Sequence, residues 1–168
     1  MSTLTSRPLS VVHVEFPELY ARHLCRHSQL GINVAHLVAL FGVWFGVYGA
    51  LYWLFDTPWV PVGMAGAYAG VVAVNVPPRV GLAVALFLAL LVAAVLLLPE
   101  LPVWAYLMMI PVFYKLQAWS HKLFNVERDM TEFNRKYTKG FVLFVVLLFY
   151  EVPIILNYLV FDRDNWAR

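Results

Sequence analysis

Charge is scarce in this sequence. Asp, Glu, Lys and Arg make up 13% of its 168 residues, about half the share usual in a soluble domain, and 62% of the chain is hydrophobic. Apolar runs of about 20 residues recur, which a soluble core of this size does not need; they exclude a soluble globular class and predict a multi-pass membrane protein. Cysteine is nearly absent. The single Cys25 excludes an internal disulfide and any CxxC site. A net charge of +2, with no basic patch interleaved with aromatics, argues against nucleic acid as a partner. The opening MSTLTSRPLSVVHVEF has no apolar core of the kind a cleaved signal peptide needs, so none is expected.

What the chain does have is a series of spans divided by turn signals. The pattern predicts a single all-α integral membrane domain over residues 1–168, a polytopic helix bundle of about five apolar spans at 34–55, 59–76, 80–98, 103–119 and 140–161. Ahead of them, Phe16 to Leu30 reads as an interfacial amphipathic helix. Pro17 suits its first position, and Phe16, Leu19, Tyr20, Leu24 and Cys25 form an apolar face for the membrane surface. Gly31 is expected to end that helix, with Asn33 capping the next and His36 three residues in. Gly42, Gly46 and Gly49 give the first span a smooth stripe for close packing, and such stripes also allow a homo-oligomer. Pro111 predicts a kink. The Trp residues near span ends, Trp53, Trp59, Trp104, Trp119 and Trp166, read as an interfacial belt.

The one long polar stretch inside the apolar part is 116–139, LQAWSHKLFNVERDMTEFNRKYTK, expected to be a cytoplasmic helical segment. Five spans put the chain ends on opposite sides. Ten Lys and Arg then fall on the side of the N-terminus and this segment, against Arg163 and Arg168 on the other, so the first side is the cytoplasmic one. Spans rich in Ala and Val point to a bacterial inner membrane, or to the endoplasmic reticulum if the chain is eukaryotic.

This topology gathers histidines. His23 and His27, four apart, share a helix face; His36 opens the first span; His121 follows the fourth. All four are expected at one interface. Imidazoles from different elements hold iron, zinc, copper or nickel while leaving open positions, and Glu127, Asp129 or Glu132 offers an added oxygen ligand. Two alternatives stand beside this. Interfacial histidines often only hydrogen-bond headgroups or backbone, in which case the chain is a scaffold or assembly subunit. Two histidines from different helices also ligate heme iron axially, although no CxxCH supports covalent attachment. Glu151, mid-way along the fifth span, costs about 2.5–3.5 kcal/mol to insert and so reads as functional. In its other reading it is protonated, or bonded to Asn75, Tyr68 or a backbone carbonyl freed by Pro153.

The stretches Tyr20-Ala-Arg-His-Leu-Cys-Arg-His27, Asn33-Val-Ala-His36 and Gln117-Ala-Trp-Ser-His121-Lys-Leu-Phe124 resemble the motifs of the 2-hydroxy fatty acid dioxygenase family, small membrane proteins of yeast, plants and bacteria. The resemblance covers these motif regions and the hydropathy plan. Ser120, Lys122 and Asn125 stand where the family has two glycines and a glutamate, and Asn33 lies one residue nearer His36. The resemblance implies a membrane dioxygenase. Ferrous iron on His27, His36 and His121, with His23 as a fourth candidate, would use O2 to shorten a 2-hydroxy fatty acid by one carbon. It further implies a role for Gln117; beside it, Lys115, Lys122 or Arg128 offers a cation to pair with the carboxylate of a long-chain lipid substrate in the bilayer. Fe(2+) is thus the expected cofactor, with Zn(2+) or heme as alternatives.

Overall fold

Glycines decide how two of the long helices meet. In the computed structural model, which describes residues 10–124 and 140–166, the first apolar stretch is helix α2 (Leu30–Phe55) and the fourth belongs to α5 (Val103–Leu123). A Cβ at Gly42, Gly46 or Gly49 would lie 2.2–2.6 Å from the Phe113 ring, the Tyr106 carbonyl oxygen or the Tyr106 ring. With glycine there, the backbones close on each other. That is the small-residue packing that holds helices together where lipid removes the hydrophobic drive. Gly31 receives the Phe124 ring in the same way. No other pair of described elements shares so extensive a contact.

Helices α1 (Phe16–Arg26), α3 (Trp59–Asn75), α4 (Pro78–Leu97) and α6 (Phe141–Leu156) complete an all-helical bundle of six helices among the described residues. The last continues through a π-helical turn (Asn157–Phe161) and a short 3-10 turn (Arg163–Asn165). Helix α4 shows why the bundle belongs in a bilayer. It buries Val80, Val84, Leu88, Leu91 and Val95 and exposes Leu82, Leu86, Leu90 and Leu97, so it is apolar on every side. Three described helices are long and apolar enough to cross a membrane, namely α2, α4 and residues 141–161; α3, with 17 residues, is shorter. The sequence led us to expect five spans. Helix α5 is not among the three, because Lys115, Gln117, His121 and Lys122 make its last third polar.

The contacts fix direction. Gly31, Gly42 and Gly49 meet Phe124, Phe113 and Tyr106, so α2 and α5 run antiparallel. The Arg79 guanidinium sits 5.1 Å from the Phe161 ring centroid, and Phe87 and Leu88 line one cavity with Phe149 and Val152, so α4 and α6 are antiparallel too. Helices α2 and α4 therefore lead away from the end where α1 lies, and α3, α5 and α6 lead back to it. The described beginning and end of the chain thus lie at one end of the bundle, where five spans would have separated them. Tyr20 donates to Asp162, Tyr150 donates to the Val11 carbonyl at 2.6 Å, and Tyr158 donates to the Ser28 carbonyl at 2.8 Å, which joins the described beginning and end of the chain.

Several boundaries move for physical reasons. Helix α1 stops at Arg26, and α2 already begins at Leu30, so Gly31 and Asn33 lie inside a helix and His36 is its seventh residue. Gly31 makes room for Phe124 instead of ending a helix. The buried face of α1, Phe16, Leu19 and His23, packs on the bundle. Pro78 opens α4, where its missing N–H costs nothing. Helix α5 runs through Pro111 and carries the polar segment as far as Leu123; its remainder, with Glu127, Arg128, Asp129 and Glu132, lies outside the described residues. Trp53, Trp59, Trp104 and Trp119 are exposed toward helix ends, whereas the Trp166 indole donates to the Tyr158 carbonyl.

Candidate metal centre

Three elements bring one histidine each to a common point. His27 is the residue that ends α1, His36 is two turns into α2, and His121 is in the last turn of α5. Their ring centroids stand 4.7 Å (His27 to His36), 4.8 Å (His27 to His121) and 4.8 Å (His36 to His121) apart, nearly an equilateral triangle. One ring nitrogen from each lies within 4.8 Å of the others. The contact of α2 with α5 sets two corners, and the short α1–α2 link sets the third.

The nitrogen atoms are prepared as lone pairs. Glu151 Oε1 lies 3.1 Å from His36 Nδ1, and Gln117 Nε2 donates to the same oxygen. An ionised Glu151 oxygen only accepts, which would put the proton on Nδ1 of His36 and leave Nε2 the lone pair. That Nε2, and both ring nitrogens of His27, are buried without a hydrogen-bond partner. A buried nitrogen left unpaired is costly. One ring nitrogen of His27, one of His36 and one of His121 lie within 4.8 Å of one another, which marks a place for something that accepts lone pairs.

His23, the fourth candidate, supports the cluster from behind. Its ring stacks on His27 with centroids 4.2 Å apart and planes at 7°. Its Nε2 lies 2.7 Å from Asn33 Oδ1. The Asn33 amide donates to the carbonyls of His27 at 2.6 Å and Gln29 at 2.9 Å, so only its oxygen is left to face His23, whose Nε2 is the donor. Asn33, fully buried, thus ties α1, the link and α2 together around His27. The sequence pattern predicts a helix cap at Asn33, and no local signal points to this bracing role.

Burial keeps these imidazoles uncharged. Desolvation pushes His23 down to about 3 despite the Asn33 bond, which favours the charged form. Desolvation, then repulsion from the neighbouring histidines, drives His27 well below the ordinary value; His121 is lowered by the same two causes. Neutral imidazole is the ligand form.

Gln117 and Glu151 join the cluster, and Glu151 bonds neither Tyr68 nor Asn75. Pro153 frees the Phe149 carbonyl, as expected of a residue without an N–H, but Tyr68 caps that carbonyl at 2.6 Å. Asn75 instead accepts from the Val14 amide at 3.2 Å and donates to the Val71 carbonyl at 2.9 Å. Lys115 is exposed on α5 two residues from Gln117, hence on the opposite side of the helix, and no described contact brings it to the histidines. His13 lies apart, in the bridge with Ser10.

The donor set fits a metal ion. Metal–imidazole bonds of about 2.0–2.1 Å require each ring to close in by less than about 1 Å from the present spacing. Glu151 behind His36 is the carboxylate–histidine pairing that orients metal ligands. A heme does not fit. Two axial histidines hold a macrocycle between them, and here a third imidazole stands within 4.8 Å of both, in the space the ring would occupy. Comparison with protein-family models, curated proteins and solved structures gave no match.

Proposed function

We propose that this protein is a membrane-embedded, metal-dependent oxygenase. It holds ferrous iron on His27, His36 and His121 and acts with O2 on a 2-hydroxy fatty acid or a closely related lipid. The observation that carries the reading is the convergence of three imidazoles, with unpaired nitrogens on His27 and His36, at one end of an apolar bundle. Three histidines leave coordination positions free for substrate and for O2. The resemblance of the three histidine-bearing stretches to the 2-hydroxy fatty acid dioxygenases selects iron and the lipid.

The bound ion would supply O2 activation and a template for the 2-hydroxy carboxylate. The chain's own residues do the rest. Glu151 holds His36 in one tautomer, with Gln117 fixing the carboxylate in turn. Asn33 and His23 hold the His27 ring in its plane. Arg26 and Lys122, next to His27 and His121 in sequence, are exposed and put positive charge where an anionic head would arrive.

The same reading makes the histidine end cytoplasmic. In the described residues it carries Arg22, Arg26, Arg79, Lys122 and Arg163, while the turns at the far end carry Asp56 and Glu100 and no Lys or Arg.

The test is metal analysis of protein purified into lipid nanodiscs, with oxygen uptake on 2-hydroxypalmitate. Iron near one per chain, no heme absorption band and substrate-dependent uptake are expected. Zinc in place of iron, without oxygen uptake, would point to hydrolysis. No metal at all would leave a scaffold.

A further inference from the structure

Between α2, α3, α4 and α6 lies a cavity of about 320 Å³, partly open to the surroundings of the bundle. Trp44, Tyr48, Tyr68, Phe87, Phe149 and Val152 form most of its wall. The Tyr68 hydroxyl is committed to the Phe149 carbonyl, so the wall has little to offer water. A water needs two to four polar partners to settle. In a bilayer, an apolar space partly open at the surface of an apolar bundle meets hydrocarbon.

Its position relates it to the histidines. Val152 adjoins Glu151, which bonds His36, and Trp44 lies eight residues beyond His36, about 12 Å along α2 at 1.5 Å per residue. Phe87 lies the same distance beyond Arg79 on α4. The space therefore lies deeper in the bundle than the polar cluster, on the side away from the charged end, with Val152 of its wall next in sequence to Glu151. That is the polarity of an amphiphile with one chain.

We propose that this cavity seats the hydrocarbon chain of a single-chain lipid whose polar head lies at the histidine cluster. The inference rests on the reading of that cluster as a metal site acting on a lipid. It adds a chain-binding wall that the three histidine motifs do not contain. Ala67 and Met64 of α3, on the same wall, set how much chain enters.

Trp44 makes the seat observable, since it is the one tryptophan on the wall and bromine quenches indole fluorescence on contact. Wild-type and Trp44→Phe proteins are placed in nanodiscs of saturated phosphatidylcholine and titrated with 9,10-dibromostearic acid. Saturable quenching of the wild type is expected, absent from Trp44→Phe and reversed by unbrominated stearic acid. Ala67→Phe, which fills the wall, should weaken the acid by about tenfold, as a few methylene groups in an apolar pocket do. Equal quenching in both proteins, or quenching that never saturates, would mean that the acid only dissolves in the bilayer and would overturn the proposal. Quenching by dibrominated phosphatidylcholine that stearic acid cannot displace would assign the space to a bilayer lipid and overturn it as well. Metal content, read on the same samples, reports separately on the metal reading: its failure would show there and not in the quenching.

Discussion

At the scale of single residues, Glu151 carries the sharpest expectation. Its carboxylate sets the tautomer of His36, and a carboxylate behind a ligating histidine typically contributes 10–100-fold in metal affinity. Glu151→Gln should keep the shape, lose the charge, and bind metal about 10–100-fold more weakly in a chelator-competition titration. Unchanged affinity would reduce Glu151 to a packing residue. Asn33→Ala removes three buried hydrogen bonds and should lower stability by a few kcal/mol, at about 1–3 kcal/mol for each buried group left unpaired. Thermal unfolding in detergent measures it. The histidines were legible in the sequence because charge asymmetry put them on one side, and their types are those that hold metals. The partners of Glu151 were not legible. An ionisable residue in mid-span advertises itself, but 115 residues separate it from His36, and no local pattern records which helix faces it.

At the scale of the element, the glycines of α2 and α3 make opposite predictions. Gly46→Val would drive a side chain into the Tyr106 carbonyl, with Cβ 2.6 Å from that oxygen, and overpacking of this kind costs about 1–3 kcal/mol. Gly66, with nothing within 4 Å of a Cβ, should accept alanine with no loss and even a small gain, since glycine costs a helix about 1 kcal/mol. Comparing the melting temperatures of Gly46→Val and Gly66→Ala checks the pair; equal effects would contradict the close approach of α2 to α5. The stripe on α2 could be read from spacing alone. Which glycine stripe met a partner could not, because Gly66 and Gly70 recur just as Gly42 and Gly46 do, and only the fold distinguishes a covered face from an open one.

At the scale of the whole molecule, the correction is one of direction. Hydropathy marked out the described helices but took Phe124 and Phe141 to lie on one side, and the fold puts them at opposite ends. Residue pairs such as Tyr20 with Asp162 and Tyr158 with the Ser28 carbonyl, far apart in sequence, bring both described ends to the histidine end. Among the described residues, Arg163 joins Arg22, Arg26, Arg79 and Lys122 at that end. In a Cys25→Ser background, single cysteines at Ser10 and Asp164 should react with a membrane-impermeant maleimide from the same side of sealed vesicles. Labelling from opposite sides would restore the arrangement expected from five spans.

The claim on which all three scales depend is that His27, His36 and His121 form one metal site. The direct measurement is metal content per chain, by plasma mass spectrometry, for wild type and for His27→Ala, His36→Ala, His121→Ala and the control His13→Ala, each purified into nanodiscs. The account predicts about one bound ion in wild type and in His13→Ala, and little or none in the three cluster variants, with all five folding to the same helix content. Wild-type metal content in the three cluster variants would contradict it.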